Sequence, residues 1–430
     1  MTDNLPTGKV GRALSGGRTA AKVGGHVLGY YAKRPFLSQD ARRVAKQRAA
    51  QNGAHTLFQG LSLLRGTALK MAQQLSLEMD MLPEAACREL AKAYHQVPPV
   101  NRALVRKVVQ DALGRPPESA FRRFGLDAFA GASLGQVHYA ENLRGEPLAV
   151  KIQYPGIAKT IDSDVSLLRQ LLRPMMRSDQ LMPSLKEVAD RLREEVDYCQ
   201  EAENAEYFAG HLNLEGVKVP KVHAQLSGPT VLSTALMPGK PLDQWLLDLP
   251  GQAARDRIAQ KLQDLVVKGI YELNVIHADP NPGNFIIADD ETIGLVDFGC
   301  IKRLDSHFVA QYRQLARAAA HYQNEQHFAK IVEMGVVSSD LTGSALEEIR
   351  NITDEAGRWF GRLFVEDDFD FGVQSGFMAD GKAVMRRYHH LRRHLNFDPE
   401  FIFLDRTRYG LWRIFELMGA RVCFRNPYEY

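Results

Sequence analysis

Three side chains in the second half of the sequence have the types and spacing for chemistry on a phosphate. Asp279 and Asn284 lie five positions apart in His277-Ala278-Asp279-Pro280-Asn281-Pro282-Gly283-Asn284, and Asp297 opens Asp297-Phe298-Gly299 eighteen positions after Asp279. In phosphoryl transfer a loop aspartate takes the hydroxyl proton or orients the nucleophile. An asparagine five residues on, and the aspartate of a D-F-G turn, hold Mg²⁺ on the nucleotide phosphates. Mg²⁺ prefers hard oxygen ligands, which Asn284 and Asp297 supply. Each piece alone is weak, because Asp279 and Asn281 before Pro280 and Pro282 also read as turn formers between two strands. The two motifs in this order, with a short hairpin between them, rarely coincide by chance.

A second group lies upstream. Ala130-Gly131-Ala132-Ser133-Leu134-Gly135-Gln136 reads as a small-residue loop entering a strand, and Leu148-Ala149-Val150-Lys151-Ile152 reads as the strand after the next turn. Small residues let the backbone approach phosphates closely, and a strand lysine then contacts the α- and β-phosphates. Such a lysine needs a carboxylate partner. Glu194, Asp197 and Glu201 fall at i, i+3, i+7 on one face of a helix expected over about 184–212, with Val188, Leu192, Val196 (or Cys199) and Ala202 as its buried stripe. The plain alternatives are a hairpin with a small-residue tip and a solvated acidic helix face.

The elements that must position these groups follow from periodicity. A helix is expected over 41–65, where Leu57, Leu61 and Leu64 share a face, with Asn52-Gly53 as its weak point. A second, Gly66 to Glu78, puts Lys70, Gln73 and Gln74 at i, i+3, i+4. Asn101 caps a helix that Gly114 and Pro116-Pro117 end after Leu113. Strands begin at Phe121, and Val217–Val222 and Thr230–Leu236 are two more, before Met237-Pro238-Gly239 breaks the pattern. Helices are expected over 157–173, stopped near Pro174, and over 252–275, leading into the Asp279 loop. Beyond Asp305 the pattern is mostly helical, with a polar connection from Glu366 to Ser375.

Composition sets the outer bounds. At 430 residues the chain has room for two or three domains, and its 45% hydrophobic and 24% charged residues are those of an ordinary soluble globular protein. No apolar run is long enough for a transmembrane helix, and the N-terminus lacks the apolar core of a signal peptide. Cys87, Cys199, Cys300 and Cys423 lie far apart without C-x-x-C, which fits a reducing compartment and argues against zinc. Residues 1–50 hold ten Lys/Arg against Asp3 and Asp40, a charge of +8 within a total of +3, so the remainder carries −5. A basic arm can touch anionic lipid, nucleic acid or an acidic partner, or simply be solvated. Gly11 to Ala32 is too glycine-rich for a helix in water, yet Val27, Leu28, Tyr30 and Tyr31 could order it against a membrane surface.

The order Lys70-x-x-Gln73, A-x-A-S-x-G-Q-V-H, A-V-K, E-x-D, D-P-N-x-x-N and D-F-G resembles the UbiB/AarF atypical kinases, among them the coenzyme Q accessory proteins of mitochondria. The resemblance runs from about residue 5 to 420. It implies an α+β, protein-kinase-like bilobal fold with an N-terminal helical extension and a mostly helical C-lobe. The implied parts are a basic Gly/Ala-rich arm (1–40), a helical extension carrying the K-x-G-Q-like motif (41–118), an N-lobe with inserted helices (119–238) and a C-lobe with catalytic loop and D-F-G (239–430).

The resemblance also implies roles. Lys70 and Gln73 match the K-x-G-Q signature of an extension that folds over the active site, and Glu195 and Asp197 match E-x-D. With Asp279 they form the catalytic set. Ala130, Gly131, Ala132, Ser133 and Gln136 cover the alanine-rich ATP-binding stretch, Lys151 and Glu201 the nucleotide-binding ion pair, and Asn284 and Asp297 the metal ligands. The implied cofactors are ATP or ADP and Mg²⁺. The implied function is a kinase-like ATPase supporting ubiquinone or other isoprenoid-lipid metabolism, with slow ATP hydrolysis and little ordinary protein phosphorylation. The expected setting is cytoplasmic, with a lipid- or quinone-type partner, peripheral membrane contact through the basic N-terminus, and no nucleic acid.

Two other readings compete: a small-molecule phosphotransferase of the aminoglycoside or choline kinase type, and a lipid-binding chaperone using ATP only as a conformational ligand. Three departures stand out: Ala72 replaces the signature glycine, Gly131 sits inside the alanine-rich loop, and Ala235 replaces a frequent glutamate. There is also a tension, because Glu195 and Asp197, two apart, point differently on a regular helix. The helix is distorted there, or Glu194 shares the role.

Overall fold

The computed structural model describes residues 38, 41–42, 101–132, 134–172, 178–338, 340–373, 376–391, 394–396 and 398–430. The helices expected over 41–65 (beyond residues 41–42) and 66–78, with Lys70 and Gln73, lie outside the described residues, as do the basic arm and Ser133.

In chain order the elements are α1 (Arg102–Leu113), the single turn α2 (Pro117–Ala120), β1 (Arg123–Ala132), β2 (Gly135–Glu141), β3 (Pro147–Gln153), α3 (Ile161–Leu172), α4 (Ser178–Glu195), α5 (Tyr198–His211), β4 (Val217–Lys218) and β5 (Val231–Ala235). There follow β6 (Lys240–Pro241), α6 (Leu242–Leu247), α7 (Gln252–Lys268), β7 (Val275–His277), β8 (Phe285–Ile287), β9 (Ile293–Leu295) and β10 (Ile301–Arg303). The last are α8 (Ser306–Ala320), α9 (Asn324–Glu333), α10 (Ser344–Gly361), β11 (Phe369–Asp370), α11 (Phe377–Leu391), α12 (Pro399–Met418) and β12 (Arg421–Val422).

The chain divides into two compact units, one of residues 1–202 and 222–235, the other of 203–221 and 236–430, and the boundary falls inside α5. The first unit holds an antiparallel sheet in the order β1-β2-β3-β5. Strand alternation sorts the side chains of β3: Leu148, Val150 and Ile152 are buried with Val105 and Val109 of α1, while Lys151 takes the opposite face. The helix α1 forms as its caps dictate. The Asn101 side chain accepts the Ala103 N–H at 2.8 Å, and Gly114 closes the helix in the left-handed region at φ 69°.

The second unit holds the mixed sheet β4-β9-β8-β6, the pairs β7–β10 and β11–β12, and the helices from α6 onward. Its core gathers Ile270, Phe308, Tyr312, Ile349, Phe401 and Leu404. The last residues of the chain are tied in: buried Glu429 accepts from Tyr271 Oη at 2.6 Å and pairs with buried Arg408.

Four expectations are corrected. The helix over 184–212 is two helices, broken at Val196–Asp197. Asp197 turns its carboxylate onto the Gln200 N–H at 3.0 Å, and Gln153 Nε2 takes the Val196 carbonyl at 2.7 Å, so side chains compete with the helical ladder. The small-residue loop is largely strand: β1 runs through Ala132, which pairs with Gly135, because β2 satisfies its backbone. Of 217–222 only Val217–Lys218 is a strand. It runs parallel to β9, whereas Val222 makes just an isolated bridge to Thr234. The helix expected to reach residue 275 ends at Lys268 and continues as one π turn, Gly269–Leu273. The carbonyl of Val275 lies where a side chain at Gly269 would be, at 2.8 Å, so the returning β7 requires glycine at that point.

Candidate active site

In the first unit, β3 lies between β2 and β5 with Lys151 opposite Val137 and Leu232. Lys151 Nζ donates to both oxygens of Glu201, at 2.7 and 2.9 Å. The side chains are 14% and 2% exposed, so this is a buried ion pair. Glu201 occupies the first turn of α5, where the helix dipole favours a negative charge. The Tyr198 ring, 5.1 Å from Nζ, adds a cation–π contact. A Cβ at Gly135 would lie 2.3 Å from the Ile152 carbonyl and 2.8 Å from the Tyr198 hydroxyl, so a glycine there lets strand and tyrosine close in beside the pair.

Ala130, Gly131 and Ala132 pair with Val137, Gln136 and Gly135 along the β1–β2 hairpin. A methyl group at Gly131 would meet nothing within 4 Å, so the departure from alanine is not forced by its neighbours. Gln136 is buried and donates from Nε2 to His138 Nε2 at 2.7 Å. His138 Nδ1 in turn donates to the Gly125 carbonyl at 2.8 Å, which fixes the tautomer, and burial lowers the pKa of this ring. The helix break resolves the tension between Glu195 and Asp197: Glu195 ends α4, and Asp197 caps α5 through its bond to Gln200. Lys70 and Gln73 lie outside the described residues.

In the second unit, β7 delivers the Asp279 loop and the β8–β9 hairpin delivers Asp297. Asn281 caps the single turn Pro282–Asn284 through its bond from the Gly283 N–H at 3.0 Å. That turn aims Asn284 back at the loop: Nδ2 donates to Asp279 Oδ2 at 3.0 Å and to its carbonyl at 3.2 Å. With the amide nitrogen so engaged, Asn284 keeps Oδ1 as its oxygen donor. Asp297 stands at φ 63°, a left-handed conformation that costs a non-glycine residue energy, and its Oδ1 accepts the Gly299 N–H at 3.2 Å.

Two side chains hold the turn there. His277 Nε2 donates to the Asp297 carbonyl at 2.6 Å, leaving Nδ1 buried without a partner among the described residues, and Asn204 Nδ2 donates to the Phe298 carbonyl at 3.0 Å. The Phe298 ring packs on Phe208 and His277, at 5.5 and 5.8 Å between centroids.

Sequence reasoning passed over Tyr198, Asn204 and Gly410. Asn204 and Phe208 are four apart on α5, a visible spacing whose target was not. Gly410 is a lone glycine inside an apolar helix, a signal of close approach. A Cβ there would lie 2.3 Å from Cγ of Pro280, so α12 packs directly on the Asp279 loop.

The donor set fits Mg²⁺. No group of three or more His, Cys, Asp or Glu that could hold a metal occurs among the described residues. Mg²⁺ instead takes one or two protein oxygens with water and substrate phosphates, which Asn284 Oδ1 and the Asp297 carboxylate can supply. Among the described residues no helix is long and apolar enough to cross a membrane.

Residues 92–332 match the ABC1 atypical kinase-like domain. The chain is 27% identical to a probable serine/threonine-protein kinase, abkA, of Dictyostelium discoideum, over 78% of this chain and 63% of that protein. It is 30% identical to the mitochondrial atypical kinase coq-8 of Caenorhabditis elegans, over 97% of this chain and 56% of that protein. It thus spans a little over half the length of these relatives. Among solved structures, the Rv3197–erythromycin complex from Mycobacterium tuberculosis superposes with a TM-score of 0.62 at 24% identity, over 90% of this chain and 96% of the other. At that identity the likeness is one of fold, α+β and kinase-like.

Proposed function

The chain belongs to the ABC1 atypical kinase-like family, and on that premise we propose that it is an ATP-binding, Mg²⁺-dependent kinase-like ATPase supporting ubiquinone or other isoprenoid-lipid metabolism. The observation that carries the reading is the Lys151–Glu201 pair. Burying an ion pair costs desolvation that a hydrophobic pair would avoid, so its presence points to a task other than stability.

Lys151, oriented by Glu201, contacts the α- and β-phosphates, and the backbone of Ala130–Ala132 approaches them. Asn284 Oδ1 and the Asp297 carboxylate hold the metal. When bound, Mg²⁺ neutralises charge developing on the transferred phosphoryl group. Asp279, braced by Asn284, orients the nucleophile or takes its proton. Lys70 and Gln73, with Glu195 and Asp197, are assigned to a gate that limits access to peptide substrates. This assignment rests on the motif order. The pathway rests on relatives named for coenzyme Q, such as the C. elegans protein.

The test is thermal melting with nucleotide, with and without Mg²⁺. A ligand at a hundred times its Kd adds about 2.7 kcal/mol, so the midpoint rises with Mg²⁺-ATP or Mg²⁺-ADP. Asp297→Asn is expected to lose the Mg²⁺-dependent part of the shift and all turnover. No shift at millimolar nucleotide, or wild-type Mg²⁺ dependence in Asp297→Asn, overturns the reading.

A further inference from the structure

An open groove between α10 and α11, in the second unit, offers about 510 Å³, within the range of small-molecule sites. None of Asp279, Asn284 and Asp297 lines it. Its apolar wall is built rather than incidental. Trp359, 8% exposed, donates Nε1 to the Phe377 carbonyl at 2.8 Å and stacks on the Phe377 ring at 4.9 Å. Two glycines admit the rings. A Cβ at Gly381 would lie 2.2 Å from Trp359, and one at Gly361 would lie 3.1 Å from the Tyr322 ring. Tyr322 itself stands at φ 56°, a left-handed strain that holds a 44% exposed aromatic at the groove.

The charged wall is arranged as two closed pairs and one open cation. Arg362 Nη1 meets Asp380 Oδ2 at 2.7 Å, and Arg387 is paired with Glu355. Arg358, also lining the groove, has no carboxylate partner among the described residues. Three guanidinium groups against two carboxylates leave a charge of +1.

We propose that this groove is a binding site for a small, singly charged amphiphilic anion, its carboxylate or sulfonate on Arg358 and its apolar body along Tyr322, Trp359 and Val384. The guanidinium fork matches a planar carboxylate in two parallel hydrogen bonds. The other two guanidinium groups lining the groove are matched to carboxylates, so among the described lining residues a dianion finds no second open cation.

The experiment uses the full chain and three naphthalene probes: 1-naphthoate, 1-naphthyl phosphate and uncharged 1-naphthylmethanol. Binding is followed by equilibrium dialysis and by quenching of tryptophan fluorescence. Expected is saturable binding of 1-naphthoate, at least tenfold tighter than the alcohol and tighter than the phosphate. Arg358→Gln should weaken it at least tenfold, Arg358→Lys less, and Tyr322→Ala should also weaken it. Saturating Mg²⁺-ADP should leave it unchanged, which separates this site from the proposed nucleotide site whether or not that reading holds. Equal binding by wild type and Arg358→Gln, displacement by ADP, or no saturable binding at millimolar naphthoate overturns the proposal.

Discussion

His327 shows how a single side chain ties this fold to pH. It lies buried on α9 with Nδ1 unpartnered among the described residues, pressed on Gly357, where a Cβ would come within 3.1 Å of Nδ1. Burial alone lowers its pKa from 6.5 to about 4. The folded ring stays neutral while the unfolded one takes up a proton, so stability is fully present above about pH 6.5 and falls as pH drops toward 4. The loss is roughly 3 kcal/mol for a shift of that size. His327→Leu should flatten that part of the acid limb. Denaturation midpoints at pH 7 and 4.5 measure it, and parallel losses in both proteins would refute it. At this scale the sequence was legible where residue type, spacing and motif order agree: Asp279, Asn284 and Asp297 stood out as candidates, and the structure sets Asn284 against Asp279. Tyr198 and Asn204 did not stand out, because their targets, the Lys151 ammonium and the Phe298 carbonyl, come from distant segments.

Among the elements, α12 packs on the Asp279 loop. Its Gly410 admits the Pro280 ring, and a proline ring, unlike a long side chain, cannot swing aside. Gly410→Ala should therefore displace the loop. Overpacking of this kind costs about 1–3 kcal/mol, and a small misplacement of a catalytic group can cost on the order of a hundredfold in rate. ATP hydrolysis should fall at least tenfold while most of the protein stays folded in melts, and a wild-type rate would sink the argument. Elements were readable wherever caps and periodicity agreed, as for α1 between Asn101 and Gly114. They were misread where a side chain overrode the ladder. Asp197 ended a helix that the apolar stripe alone would have continued, and the π turn at Gly269 shifted the register before β7.

For the molecule as a whole, charge is the unabsorbed feature: +8 in residues 1–50 against +3 overall. Deleting 1–35 should reduce co-sedimentation with acidic liposomes, and salt should weaken that of the full chain by screening. Equal sedimentation of both proteins would exclude an anchoring role for the arm. The α+β, kinase-like class was legible because motif order constrains it. The pairing of residues 217–222 was not. Whether residues 217–222 join the sheet of β5 or that of β9 depends on pairing partners far apart in sequence, and local pattern is silent on it.

The bond from His277 to the Asp297 carbonyl has a spectroscopic consequence. A carbonyl only accepts, so Nε2 must carry hydrogen, and the ring is 8% exposed. That imidazole N–H is shielded from exchange with water and should give a persistent, strongly downfield proton resonance. Its nitrogen frequency reports the backbone position of the very residue assigned to the metal. Should the Asp297 turn swing away, the signal would broaden into the solvent, and the protein would announce the change of state without any added label.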